Sequence, residues 1–339
     1  MTSDPVPIRS TGIGSWPGTD MADAIKISLA ECPELPFLPE LPARGEYAGM
    51  IGRSTALLAG LAVDLQPAGW RLTDGSGSDH RRAINTLRQD LDLLEEHAQG
   101  YAGPLKYAVA GPWTLAATME RPRGDRVLAD YGARRDLAQS LAEGLAELSL
   151  EMRRRLPETR PVVQLDEPLL PRVLAGAVPT ASGFSRHRLV DIAELREALA
   201  HVVDRLDAAA GTEVLVHCCA ADPPIALAHE AGARGVLVDL DQLKHADWDV
   251  IGASVEDGRW IGLGALPTAA RSEPTALSPD EVARRALTPL RALGLEPDRT
   301  AQLILSPACG LAGASAQGAV TALRTVRNAA AIVTEQLAS

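Results

Sequence analysis

Short apolar runs alternate with long helical patterns along most of the 339-residue chain. The runs end at glycine, proline or polar residues, which is typical of strands buried on both faces of a parallel sheet. Eight strands are predicted: Ile8–Ser15, Leu35–Leu38, Lys106–Ala110, Val162–Asp166, Glu213–His217, Gly235–Asp239, Arg259–Leu263 and Ala301–Ser306. Pro36 interrupts the second of these strands, which makes it the least regular of the eight.

Helical stretches separate several of these strands, and their apolar residues recur every three or four positions. They are Arg81–Ala98, Asp130–Arg155, Ile192–Ala210, Pro223–Ala231, Pro279–Leu293 and Ala314–Leu337. Strand–helix alternation at this length predicts an α/β fold, a (β/α)8 TIM barrel, with residues 1–339 as a single domain. A doubly wound open sheet is the alternative, but no Gly-x-Gly-x-x-Gly follows the first strand.

Two segments break the alternation, one after the second predicted strand and one after the fourth. Pro39–Ser78 combines a helix-like run, Tyr47–Ala62, with an irregular stretch, Gln66–Ser78. Leu174–Leu189 contains proline, glycine and serine, which predicts a long loop or a small hairpin. We interpret both as insertions near an active site, because such elaborations usually surround the catalytic rim of a barrel.

Charge and composition narrow the classes of function. The formal net charge is −11 and there is no cluster of Lys and Arg, which argues against a nucleic-acid partner. No run of 18 apolar residues predicts a membrane span, and residues 1–9 lack a signal-peptide pattern, so we expect a cytoplasmic protein. Four cysteines are too few for a disulfide scaffold and favour metal ligands or packing.

The fifth predicted strand runs directly into His217, Cys218 and Cys219. Imidazole and thiolate are ligands that zinc prefers. Because side chains alternate along a strand, His217 and Cys219 are predicted to point the same way and Cys218 the opposite way. The alternative is a buried strand that ends in two packed thiols, since free cysteine is often buried.

Other strand ends offer further ligands, because the reactive residues of a barrel lie where its strands end. The sixth strand ends at Asp239, with Asp241 two residues on, and Cys309 follows the eighth. His217, Cys219, Cys309 and one carboxylate at the end of the sixth strand make a set of four zinc ligands, unless the aspartate caps the next helix instead. Thiolate ligands keep a bound substrate sulfur nucleophilic, which suits alkyl transfer to sulfur better than hydrolysis.

Five short motifs occur in a fixed order over nearly the whole chain. They are Thr11-Gly12-Ile13-Gly14-Ser15-Trp16-Pro17, Arg44-Gly45-Glu46, Gln164-Leu165-Asp166-Glu167-Pro168-Leu169-Leu170, His217-Cys218-Cys219 and Pro307-Ala308-Cys309-Gly310-Leu311. In this order they resemble motifs of the catalytic C-terminal half of cobalamin-independent methionine synthase. The chain therefore resembles a "core" form of that family, which consists of the catalytic barrel only. That family's fold is a (β/α)8 barrel, in agreement with the strand count.

The resemblance implies a zinc ion bound by His217, Cys219 and Cys309. The family's remaining ligand is a glutamate, where this chain has Asp239. Because aspartate is one methylene shorter, Asp241 or a water molecule are alternatives for that position.

The resemblance also implies homocysteine as the small-molecule substrate. Its amino-acid end would contact Ile13, Gly14 and Ser15. Glu46 and Asp166 would hold its ammonium group, since two carboxylates match one positive charge.

The residues that contact folate in the family differ here. Leu72–Ser76 stands in place of an Arg-Cys pair, Arg172 in place of a glutamate, and Thr118 in place of a tryptophan. The family's proton-donating histidine has no counterpart in Gly262–Ala269, so no catalytic residue is assigned. We therefore predict a zinc-dependent methyltransferase that makes methionine from homocysteine, with a donor other than methyl-tetrahydrofolate. A methylcorrinoid, free or on a partner protein, is one candidate.

Two other functions remain open from the sequence. The first is zinc-dependent alkyl transfer to a thiol without an amino-acid end, such as coenzyme M. The second is a non-catalytic protein that binds zinc or homocysteine.

Overall fold

The computed structural model describes residues 7–268, 274, 276–295 and 297–338. Its strands are β1 (Arg9–Ser10), β2 (Phe37–Leu38), β3 (Ala62–Gln66), β4 (Gly69–Thr73), β5 (Gly103–Ala110), β6 (Thr159–Asp166), β7 (Glu213–Cys218), β8 (Gly235–Asp239), β9 (Trp260–Leu266) and β10 (Leu303–Pro307). All eight predicted strands are present, and β3 and β4 are additional.

The helices surround this sheet. They are α1 (Met21–Glu31), α2 (Met50–Thr55), α3 (Ser78–His97), α4 (Pro112–Thr118), α5 (Tyr131–Arg155), α6 (Leu170–Leu174), α7 (Ile192–Ala210), α8 (Ile225–Glu230), α9 (His245–Glu256), α10 (Pro279–Leu293) and α11 (Ala316–Ala338). The six predicted helices correspond to α3, α5, α7, α8, α10 and α11. The ends of α7 show why the boundaries were predictable: Asp191 caps its first turn, and Gly211 ends it in the left-handed conformation.

The eight main strands form one parallel sheet in the order β1-β10-β9-β8-β7-β6-β5-β2. The two edge strands of this sheet are β1 and β2. The segments that follow them pair with each other, because Ser15 and Glu40 form a parallel bridge. There, Trp16 N donates to Glu40 O at 2.8 Å and Glu40 N donates to Gly14 O at 3.0 Å. The sheet therefore curls upon itself in a TIM-barrel-like fold.

Two details of the predicted elements are wrong. The first strand was predicted over Ile8–Ser15, but its regular ladder covers only Arg9–Ser10, because the chain then leaves β10 and crosses toward Glu40. The stretch predicted as irregular after residue 66 instead continues an antiparallel hairpin, β3–β4. Trp70 and Leu72 alternate inward there, and Gly69 takes a φ of 122° at the turn.

The two predicted insertions contain little regular structure besides this hairpin. The helix-like run of residues 47–62 forms only α2. The segment after α6 is a loop with one antiparallel bridge, between Pro179 and Arg186.

The barrel interior divides into an apolar half and a polar half. Its apolar half is filled by Ile13, Leu35, Val162, Leu215, Leu237, Trp260 and Ile304. Toward the carboxyl ends of the strands the buried residues become polar, with Lys106, Gln164, Asp166 and His217. None of the described helices is long and apolar enough to cross a bilayer.

Candidate functional site

Four of the predicted site residues converge at the carboxyl ends of three strands. Asp166 ends β6, His217 lies on β7 with Cys219 just beyond it, and Cys309 follows β10. Because parallel strands end at the same edge, the topology brings residues from distant parts of the sequence to one place.

Cys219 and Cys309 contact each other directly, with 3.3 Å between their Sγ atoms. Both are half-buried, whereas Cys218 is buried on the other side of the strand, in agreement with the alternation. The hydrogen bond from Cys219 lowers the pKa of Cys309 to about 6, and the same bond raises that of Cys219. One thiolate is therefore favoured in this pair, and thiolate is the form that binds metal.

The His217 ring is held by Asp166 and leaves one nitrogen unused. Its Nδ1 lies 2.7 Å from Asp166 Oδ1, and its Nε2 is buried without a hydrogen-bond partner. Beside a carboxylate, Nδ1 carries the proton and Nε2 presents a lone pair. This arrangement is common for metal-ligating histidines, so the ring fits a zinc ion on its Nε2 side.

A loop of residues 307–311 brings Cys309 to Cys219. Cys309 N donates to Thr268 Oγ1 at 2.8 Å, and Leu311 N donates to Ser15 O at 2.8 Å. The loop packs against Gly264 of β9: a Cβ there would lie 2.6 Å from the Cα of Ala308. Position 264 therefore has to be glycine for the loop to approach β9 this closely.

The two candidate carboxylates are engaged elsewhere. Asp239 Oδ1 accepts a hydrogen bond from Asp241 N at 3.0 Å, so it caps a short 3-10 helix as the alternative interpretation expected. Burial raises the pKa of Asp239. Asp241 pairs with Arg285 at 2.5 Å. Among the described residues, no three His, Cys, Asp or Glu side chains already form a metal-ligand cluster. The fourth ligand thus stays a prediction.

The segment predicted to hold the amino-acid end of the substrate borders the same site. Ser15 lies against Gly310, where an added Cβ would fall 1.9 Å from its Oγ. The carbonyl of Ile13 accepts hydrogen bonds from Lys106 and Gln164, and Gly14 packs on Ala108. The structure describes the segment Gly262–Ala269, which has no histidine, as far as Thr268. The hydroxyl of Thr268 accepts the hydrogen bond from Cys309 N.

Glu46, predicted as the second carboxylate at the substrate ammonium, is exposed after a 3-10 helix, Pro42–Arg44. Glu40 is buried instead, near enough for the charge of Asp166 to affect it. Its backbone pairs with Ser15, the substrate segment. The signal for Glu40 was available in the sequence, since it follows the second predicted strand by two residues, as a rim residue does.

Burial raises the pKa of Glu40 to about 8, opposed by the buried Arg53. Between about pH 4.5 and 8 the unfolded chain is therefore ionised at Glu40 while the folded protein keeps the proton. This group makes stability fall as pH rises through that window, by about 1.4 kcal/mol per pH unit. We expect Glu40→Gln to remove this contribution in urea unfolding between pH 5 and 8. Exposed Glu46→Gln is the control, and an unchanged slope in Glu40→Gln would contradict the assignment.

Glu167, next to Asp166, has a structural role. Its carboxylate accepts hydrogen bonds from Trp113 N and from both N and Oγ1 of Thr114, at 2.7–2.9 Å. These contacts bind the start of α4, and burial raises the pKa of Glu167 to about 7. It is therefore not available to a substrate.

A family model described as cobalamin-independent synthase, catalytic domain, matches residues 8–332. The chain belongs to this family. No functionally curated protein matches it in sequence.

Two solved structures share the fold of this chain. A B12-independent methionine synthase from Shewanella sp. W3-18-1, solved with selenomethionine, is 15% identical with a TM-score of 0.60, over 98% of this chain and 99% of that one. A methyltransferase from Methanosarcina mazei is 16% identical with a TM-score of 0.54, over 96% and 94%. At such identities they show that the fold is shared.

Proposed function

We propose that this cobalamin-independent synthase homologue is a zinc-dependent methyltransferase that converts homocysteine to methionine. The observation that supports it most is the buried, unpartnered Nε2 of His217 at the same strand ends that carry the Cys219–Cys309 pair. An unpaired buried acceptor costs roughly 1–3 kcal/mol, so a metal ion bound there would stabilise the ring.

His217, Cys219 and Cys309 would hold the zinc ion. Asp239 is the predicted fourth ligand, and it would have to release the Asp241 amide that it now caps. When bound, zinc stabilises the thiolate form of a substrate thiol at neutral pH. A methyl group would be transferred to the substrate sulfur as its bond to the carrier breaks. The carrier would keep the electron pair, and the thiol proton would pass to solvent.

The protein's own residues would bind and orient the amino-acid end of homocysteine. Asp166 uses Oδ1 for His217 and Gln164, while its Oδ2 has no hydrogen-bond donor among the described residues and would accept the ammonium. Glu40 adds a second carboxyl group nearby, and Glu46 would reach the substrate only by turning inward. The Ile13–Ser15 segment would contact the remainder. Because Glu40 keeps its proton below about pH 8, it would contribute a hydrogen bond rather than a charge. A thiol without an ammonium, such as coenzyme M, would leave Asp166 without a cationic partner.

The positions that differ from the family's folate contacts are occupied by internal contacts. Thr118 Oγ1 donates to Thr114 O at 2.5 Å, and Arg172 donates to Ala177 O at 3.2 Å. Trp113 is buried, and its indole nitrogen donates to Leu195 O, so it cannot stack on a pterin. These contacts support a donor other than methyl-tetrahydrofolate, for which a methylcorrinoid, free or protein-bound, is our candidate.

The test is methionine formation by the zinc-loaded protein from homocysteine, with methylcobalamin or methyl-tetrahydrofolate as donor. We expect product with methylcobalamin only. Asp166→Asn should raise the KM for homocysteine about 10- to 100-fold, the effect of losing a charged hydrogen bond of 1.5–3 kcal/mol. Asp204→Asn, an exposed change on α7, is the control.

The outcomes separate the alternatives. Stoichiometric binding of zinc and homocysteine without product from either donor would favour the non-catalytic binding protein. Equal activity with coenzyme M and homocysteine would overturn the assignment of the amino-acid subsite.

A further inference from the structure

Lys106 places a positive charge at the centre of the barrel, away from solvent. Its side chain is 0% exposed, and Nζ lies 5.4 Å from the centre of the Phe37 ring. It donates to the carbonyls of Gly12 at 2.8 Å and Ile13 at 3.1 Å, and to Gln164 Oε1 at 2.5 Å. The three ammonium protons thus have three acceptors, as a buried charge requires.

Gln164 extends this contact toward the site. Its Oε1 faces the Lys106 ammonium, so its amide NH2 group faces the opposite direction. There Nε2 donates to Ile13 O at 2.8 Å and to Asp166 Oδ1 at 2.7 Å. Asp166 Oδ1 in turn meets His217 Nδ1 at 2.7 Å. A continuous chain of hydrogen bonds therefore joins the barrel centre to His217.

Lys106 anchors the inner end of Gln164, because its ammonium is the donor to Oε1. The other end of the amide is held by Ile13 O and by the Asp166 carboxylate, which can only accept. Without the ammonium, Oε1 would be buried without a donor, and the Gln164 side chain would shift to find one. The Asp166 carboxylate would then lose a donor and rotate, and the Ile13 carbonyl would lose both of its partners. An apolar side chain of similar length would fill the same space without this effect.

We propose that Lys106 is a positioning residue, which fixes the Gly12–Ile13 carbonyls and, through Gln164, orients Asp166 toward the substrate ammonium and the His217 ring. The effect of Lys106 on substrate binding rests on the proposed function. The effect of Lys106 on the orientation of the His217 ring does not depend on any substrate.

The first variant is Lys106→Met. The second is Gln164→Leu, which interrupts the series of hydrogen bonds from Lys106 to His217 one residue further on. Thr11→Val is the matched control: it removes a buried hydrogen bond to Leu35 O at 2.8 Å and a longer contact to Gly12 O at 3.3 Å, and it leaves the side chains of Lys106, Gln164, Asp166 and His217 unchanged. Thermal unfolding verifies that each variant is folded.

Substrate affinity is measured by calorimetry on the zinc-loaded proteins. We expect Lys106→Met to weaken homocysteine binding about 10- to 100-fold more than it weakens the binding of simple alkanethiols, as for a lost charged hydrogen bond to the ammonium. Because Lys106 acts on the substrate through Asp166, adding Lys106→Met to Asp166→Asn should cause little further loss of homocysteine affinity. Equal losses for both thiols would show a merely structural role and overturn the proposal.

The second measurement uses ¹⁵N spectra of the His217 ring in the metal-free protein. We expect a single neutral tautomer with the proton on Nδ1 in the wild type and in Thr11→Val, and its loss in both chain variants. If Lys106→Met and Gln164→Leu both keep the wild-type tautomer, the proposal is wrong. If the wild type does not bind homocysteine, the proposed function fails, while this spectrum still decides the role of Lys106.

Discussion

Cys309→Ser and Cys219→Ser are each expected to lose zinc, to below about 0.1 ion per chain after dialysis against a chelator, together with methyl transfer. Changes to residues that only support metal ligands already cost about 10- to 100-fold in affinity, and loss of a thiolate ligand costs more. The two sulfurs lie 3.3 Å apart and His217 Nε2 is unpartnered, so either change removes one of the three proposed zinc ligands. Metal analysis of the purified variants measures the effect.

Cys218→Ser is the matched control, because this thiol is adjacent in sequence but buried on the opposite side of the strand. It should keep zinc, with some loss of stability from the buried hydroxyl. Full zinc content in both Cys219→Ser and Cys309→Ser would refute the metal site.

Gly264→Ala is expected to have the next largest effect. The added Cβ would meet the Cα of Ala308 at 2.6 Å and the carbonyl of Val238 at 3.0 Å, both of which are backbone atoms that cannot rotate away. Residues 307–311 must then move off β9, which separates Cys309 from Cys219. We expect a loss of about 1–3 kcal/mol in the free energy of unfolding, as for other overpacked positions, and a loss of zinc affinity of at least about tenfold.

Gly262→Ala on the same strand separates these two effects. The three atoms nearest to its Cβ would all belong to the Leu237 side chain, the first at 2.6 Å, so the strain falls on a core side chain rather than on the backbone of the 307–311 loop. Urea unfolding and zinc competition on both variants should show two destabilised proteins, of which only Gly264→Ala binds zinc weakly. Equal zinc affinities would mean that the loop tolerates the displacement.

The strands and most long helices were predictable because each is encoded by local periodicity and by its caps. The opposite orientations of Cys218 and Cys219 followed from the same alternation. The β3–β4 hairpin was missed since its turn, Pro67–Ala68, lacks the usual Asn-Gly or Asp-Gly signal. The shortness of β1 was missed because it depends on the partner that the chain meets after Ser10.

The carboxylates show where sequence reasoning about the site reaches its limit. Glu46 was chosen from a motif, and its exposure depends on how the chain turns after Leu41. Asp239 ends β8, as the sequence predicts. Whether its carboxylate caps the 3-10 helix or binds a metal depends on whether it is bound by the Asp241 amide or by a metal ion. Glu40 lies at a rim position that the sequence does show, but its burial and that of Lys106 are visible only after the barrel has closed.

The sequence by itself determined the barrel-like alternation and family membership, because periodicity and short motifs are local properties of the chain. It also determined which thiol of the Cys218–Cys219 pair lies on the same side of the strand as His217. Only the tertiary structure decided that Cys309 contacts Cys219, that His217 Nε2 is left unpartnered, and that Lys106 connects to Asp166 through Gln164. These contacts join residues 50 or more positions apart, and they exist because closure of the sheet brings the strand ends together.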